Sequence, residues 1–145
     1  MGLTYTDTFG PVLLNAIAGL DAQLERATEK NAMLLQANLI KGIRNQKYRS
    51  QWPDLKPKTI TQKEKKNLSN LILVGTGDLS SSFEVAKVSG KVFQVGTNNP
   101  YARAHEFGYA PRKIPARPYY RPAWNDSLEG MKENWREAFR RGLSL

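Results

Sequence analysis

The single histidine, His105, stands beside Glu106, and an acid–base pair is the chemistry that those two residue types could do together. On a helix, neighbouring residues point about 100° apart, so the two side chains diverge. One histidine also excludes two-histidine metal sites and the HExxH pattern. With no base, nucleophile or ligand partner evident, His105 reads as a packing or hydrogen-bonding residue. The Gly75-Thr76-Gly77-Asp78 stretch has the glycines of a phosphate-cradling turn, but no Gly-Lys-Ser or Gly-Lys-Thr ending follows it. It reads as a plain turn, and Ser80, Ser81 and Ser82, which lack a base partner, as polar turn residues. The absence of cysteine excludes disulfides, thiolate catalysis and Cys-ligated zinc. No catalytic, cofactor-binding or metal-binding residue is assigned, and an enzyme is not expected.

Binding chemistry is better represented. The formal net charge is +9, from 22 basic against 13 acidic residues, and it is unevenly placed. Residues 51–75 carry five basic and two acidic groups, residues 111–145 eight and four, and residues 76–110 are balanced. Lys56, Lys58, Lys63, Lys65 and Lys66 with Trp52 form either a nucleic-acid patch with an aromatic or a solvated helix face over a core tryptophan. Arg112, Lys113, Arg117 and Arg121 differ, because they alternate with Pro111, Pro115, Pro118 and Pro122, and so many prolines preclude a helix interior. Residues 109–122 read as an extended arm from which the basic side chains project, with Tyr119 and Tyr120 beside them. Arginine and tyrosine are favoured in protein contacts, so Arg112, Lys113, Arg117, Tyr119, Tyr120 and Arg121 are the candidate interface. The arm is expected to order mainly against neighbouring subunits.

The elements that position these residues follow from periodicity. From about Pro11 to Gln46, Leu13, Ile17, Leu20, Leu24, Thr28, Ala32, Leu35, Leu39 and Ile43 recur at steps of three or four, which predicts a helix with one apolar stripe. Its length admits a break near Thr28–Asn31. Arg44 to Lys58 is a polar loop pinned by Trp52 and Leu55, leading to a short helix around Lys58–Asn67. Asp78 is placed to cap one turn across Leu79–Ser82. Phe83–Val88 and Lys91–Val95, joined by Ser89-Gly90, form a hairpin. Tyr101 to Phe107 predicts two helical turns ended by Gly108. Ala123 to Leu143 predicts an amphipathic helix whose stripe of Trp124, Leu128, Met131, Trp135, Phe139 and Leu143 is the expected buried face. The fold class is α+β in a single domain, 1–145: a helical region 1–50, a core 51–122 that includes the basic arm, and a terminal helix 123–145. No apolar run approaches the ~20 residues of a membrane span. The first residues lack the basic start of a secretory signal, so a soluble protein assembled in the host-cell cytoplasm is expected.

The order of motifs carries a resemblance. Trp52 and Leu55 precede Thr59 and Lys63, then come the LVGTGDLSSS run from Leu73 to Ser82 and a hairpin ending Val95-Gly96-Thr97. The YARAHEFG run from Tyr101 to Gly108 and the IPARPY run from Ile114 to Tyr119 follow. From about Trp52 to Ala123 this resembles the virion-morphogenesis and tail-completion proteins of Mu-like and related long-tailed phages. The resemblance implies a non-enzymatic virion protein of the tail or neck, with Trp52, Gly77, Tyr101, His105, Gly108, Pro115, Arg117 and Pro118 preserving the fold. It implies a homo-oligomeric ring, hexameric, that meets tail-tube and head-connector proteins and past which DNA travels. A head-side adaptor and a small basic DNA-binding protein are the alternatives.

Overall fold

The computed structural model describes residues 9–143. In chain order it contains α1 (Phe9–Arg44), a 3-10 turn (Arg49–Gln51), α2 (Pro57–Lys65), α3 (Asp78–Ser81), β1 (Glu84–Ser89), β2 (Val92–Gly96), α4 (Ala102–Phe107), a second 3-10 turn (Ala110–Arg112) and α5 (Tyr120–Gly142). The α+β class is as expected, with a long first helix, one antiparallel hairpin, short helices and a terminal helix.

Helix α1 runs without interruption, so no break occurs at Thr28–Asn31. Thr28 donates its hydroxyl to the Leu24 carbonyl at 2.9 Å and is satisfied within the helix. Asn31 is buried and serves the pairing with α5. Its Nδ2 donates to the Met131 carbonyl at 3.4 Å, and its Oδ1 accepts from Asn134 at 2.7 Å. Further along, Asn38 donates to the Ser127 hydroxyl at 2.8 Å, and just past the end of α1 Tyr48 donates to Asp126 at 2.8 Å. Partner numbers fall as α1 numbers rise, so the two long helices are antiparallel.

The face that α5 turns to α1 differs from the expected one. Ala123, Ser127, Ala138 and Gly142 are buried, whereas Trp124, Leu128, Phe139 and Leu143 are exposed and Trp135 is only partly covered. Each bulky residue follows a small or polar seam residue by one position, about 100° round the helix. The small side chains win the seam because they let the backbones approach closely. A Cβ on Gly142 would lie 2.6 Å from the Leu20 Cα, a clash with backbone that cannot be relieved by a rotamer change.

The apolar core gathers at the other end of α1. Leu35, Leu39 and Ile43 pack with Tyr48, Trp52, Ile72, Leu79, Phe83, Ala102, Tyr119 and Ala123. The hairpin sits one residue later than expected at its start, with the register slipping between Lys87 and Ser89. Its lysines Lys87 and Lys91 pair with Glu25 and Asp21 and lay it along α1. Pairs this exposed contribute ~0–1 kcal/mol each, so they orient the hairpin more than they stabilise it. Asp78 is the first residue of α3 rather than its cap; Gly77, at φ 92°, holds the capping position.

Truncating Leu39, fully buried, to alanine is expected to cost about 2–5 kcal/mol in denaturant melts. Phe139, 47% exposed, should cost well under the ~3–5 kcal/mol of a buried phenylalanine. Equal losses for the two would mean that α5 packs the other way round.

Candidate functional site

The arm is stitched to its own chain. Tyr109 and Ile114 exchange backbone hydrogen bonds at 2.9 and 3.1 Å, closing a tight loop around the 3-10 turn. At its tip Lys113 adopts a left-handed conformation, φ 53°, and both Arg112 and Lys113 are exposed. The chain then returns under α4, where the Arg117 N–H donates to the His105 carbonyl at 2.7 Å. Gly108 makes that return possible. It ends α4 at φ 79°, and a Cβ there would meet the Ala116 nitrogen at 3.0 Å and the Ile114 carbonyl at 3.1 Å.

Arg117 is buried, which corrects the expectation that it projects to a partner. Its Nε donates to the Pro53 carbonyl and its Nη2 to the Asp54 carbonyl, both at 3.0 Å. Burial and then the Arg49 charge pull the guanidinium below its ordinary range, while Asp54 pushes it back. Trp52, buried in the same loop, donates its indole N–H to the Pro118 carbonyl at 2.7 Å. Tyr119 is likewise buried and donates to the Ala102 carbonyl at 3.0 Å. Tyr120, half-buried, donates to the Val95 carbonyl at 2.9 Å. The arm therefore orders against its own fold, contrary to the expectation that neighbours order it. α5 begins at Tyr120, so Pro122 lies in the first helical turn, where its missing N–H costs nothing.

Glu106 is the residue that sequence reasoning missed. Its carboxylate accepts the N–H groups of Tyr119 at 2.7 Å, Tyr120 at 2.9 Å and Arg121 at 3.2 Å, capping α5 from thirteen or more residues away. No local capping pattern signals this, because the cap lies on another element. The same carboxylate, after burial, holds the Tyr119 and Tyr120 hydroxyls above their ordinary range.

Between α2, the turn before α3, α4 and the arm lies a cleft of about 500 Å³. It brings together Gly77, Tyr101, His105, Pro115 and Arg117 with Arg112 and Lys113, residues that were singled out separately along the chain. Lys56 and Lys63 line the same cleft. Lys63 is a staple: its Nζ donates to the carbonyls of Leu71 at 2.7 Å and Val74 at 2.8 Å, and burial pulls its pKa down. The exposed charges on the rim are thus Lys56, Arg112 and Lys113, against Asp78 and the Asp54 that pairs with Arg49. His105 Nδ1 is buried with no hydrogen-bond partner, and its pKa is lowered by burial first and the Arg117 charge second. Tyr119, Tyr120 and Arg121 line a separate groove with Phe107 and Trp124. Among the described residues no group of three His, Cys, Asp or Glu could hold a metal ion, and no helix is long and apolar enough to cross a membrane.

The fold is a small α+β domain, with a seam of two long helices and a basic-rimmed cleft at one end. The model described as the phage virion morphogenesis family matches residues 11–133, and the chain belongs to that family. No curated protein and no solved structure matches it.

Two outcomes check this geometry. Glu106→Gln keeps the shape but removes the charge facing three N–H groups, and should cost about 1.5–3 kcal/mol in denaturant melts. For His105, the folded state favours the neutral ring, so the unfolded chain binds the proton first on acidification. Stability should fall as pH drops below the ordinary 6.5, down to the lowered folded value. His105→Gln should flatten the melting temperature between pH 7 and 5; an unaltered slope would place the titration elsewhere.

Proposed function

We propose that this chain is a non-enzymatic tail-completion subunit that assembles with its own copies into a ring at the upper end of the phage tail and joins tail to head. The observation that supports it best is the rim of the cleft. Arg112 and Lys113 sit at the tip of a loop closed on itself and line the same cleft as Lys56, so three exposed cations stand together, two of them on backbone that has little entropy left to lose on contact. An acidic face on a neighbouring virion protein is the complementary surface. Family membership supports a role in particle morphogenesis. Absence of catalysis is the reading favoured by Glu106, the one acid beside the single histidine, whose carboxylate is committed to three backbone donors.

The +9 charge favours one second reading, contact with DNA along its path through the ring. Salt separates the two, since DNA held through several phosphates weakens with a log–log slope of about −0.9 per phosphate neutralised.

The test uses Arg112→Ser with Lys113→Ser, leaving the buried Arg117 intact. The isolated protein should keep its melting temperature, and infected cells should accumulate separate heads and tails by electron microscopy. Normal infectious particles from this variant would sink the rim as the joining surface. Joined particles that lose DNA would support the second reading.

A further inference from the structure

The groove between α4 and the first turn of α5 has a volume of about 510 Å³ and shares only Asn99 with the cleft. Its floor is Phe83, Ala102 and Tyr119, all buried, with the two rings edge to face at 5.8 Å. The polar groups around that floor are already engaged. The Tyr119 and Tyr120 hydroxyls donate to the Ala102 and Val95 carbonyls, and Thr97 shares a hydrogen bond of 2.6 Å with Ser82. Glu106, the one acid that lines the groove, holds the three N–H groups of α5.

The walls carry what is left. Arg103 and Phe107 stand one turn apart on α4, and Arg121 and Trp124 one turn apart on α5. Each wall thus presents one arginine beside one aromatic ring. Phe107 is 72% exposed and Trp124 45%, and both arginines are exposed. Among the described residues no carboxylate pairs with Arg103 or Arg121, whereas Arg136 and Arg141 further along α5 each have one. An apolar floor and two uncovered rings are therefore joined to two unneutralised cations.

We propose that this groove takes an acidic peptide segment of a partner protein. One large apolar side chain of the segment rests on the floor between Phe107 and Trp124, and carboxylates on either side of it pair with Arg103 and Arg121. Charge complementarity selects this occupant. A neutral apolar segment would desolvate both guanidinium groups and leave them unpaired, which costs free energy. A second copy of this chain would bring a net charge of +9 to a groove that is already cationic. Single-stranded DNA tracks a line of cations over ~4 or more nucleotides, and here only two cations line the groove, one on each wall. Arginine's planar fork meets a carboxylate through two parallel hydrogen bonds. Tryptophan and arginine are also enriched among the residues that carry most of the energy at protein interfaces. The contact is additional to the joining surface at the cleft rim and does not depend on it.

Trp52 is buried and Trp124 lies on the groove wall, so fluorine NMR of the full chain labelled with fluorotryptophan reads the site directly. The probes are short peptides with phenylalanine, leucine or tryptophan at the centre and glutamates on both sides. At least one should shift the Trp124 resonance in a saturable titration and leave that of Trp52 in place; loss of the signal in Trp124→Phe assigns it. Arg103→Ser with Arg121→Ser should weaken this binding about tenfold or more at an unchanged melting temperature. Arg112→Ser with Lys113→Ser, on the cleft rim, should leave it as it was. Exchanging the glutamates for glutamine, or the central residue for alanine, should each remove the shift. The proposal is overturned if no peptide moves Trp124 at about 1 mM, the weak end of specific affinity. It is overturned equally if the glutamine or alanine peptides bind as well, or if the rim variant loses as much binding as the groove variant. Oligothymidylate that moves Trp124 at lower concentration than any peptide would make the groove a DNA site and sink the proposal.

Discussion

Three backbone N–H groups at the start of α5 converge on the Glu106 carboxylate at 2.7–3.2 Å, and this joint sets the direction of the longest lever in the molecule after α1. Helix N-termini carry unsatisfied donors and a partial positive charge, so an acid there does two things at once. The acid comes from α4, and α4 is in turn tied to the arm through the His105 carbonyl and Arg117. The arm is tied to the loop before α2 through Arg117 and Trp52. Short helices with little area of their own are thereby fixed to one another by hydrogen bonds, of which those of the Glu106 and Arg117 side chains are charge-assisted. Once α5 points along α1, the seam of small residues follows, and so does the outward turn of its bulky ones.

Much of this frame was legible in the residues. The length and periodicity of α1, the hairpin at Ser89-Gly90 and the stop at Gly108 all depend on local propensity, which a sequence displays directly. The buried face of α5 does not. Two stripes one residue apart run along that helix, and hydrophobicity favours Trp124, Leu128 and Phe139, while close approach to α1 favours Ala123, Ser127 and Gly142. Only the partner helix decides between them, and the partner is more than eighty residues away. The arm was misjudged for a related reason. Its prolines correctly exclude most helix, but whether an extended segment docks on its own fold depends on carbonyls at Pro53 and Asp54 that no pattern in the arm announces.

The charge of the chain has the same double character. Of the basic residues singled out by position, Arg117 and Lys63 are spent on backbone carbonyls and are structural cations. Arginine suits the first task because its planar fork can satisfy two carbonyls in fixed geometry. Lys63, a flexible ammonium, instead gathers the Leu71 and Val74 carbonyls of an irregular turn in which Leu73 takes φ 60°. What remains for a partner is a smaller set, Lys56, Arg112 and Lys113 on the rim, with Arg121 on the neighbouring groove. A net charge of +9 therefore overstates the charge free to act at the cleft.

The cleft sits at the core end of α1 and the exposed apolar side chains Val12, Leu13, Leu14 and Ile17 near the opposite end, joined by one uninterrupted helix. The absence of a break at Thr28–Asn31 then matters for the proposed assembly. A rigid helix with Asn31 locked to Asn134 at its middle holds the two surfaces at a fixed distance and angle. In a ring of the kind proposed, that rigidity would present every basic rim at the same height and orientation. A circle of identical cationic rims is what an acidic ring of neighbouring proteins could engage all at once, where each contact alone is weak and the set is strong.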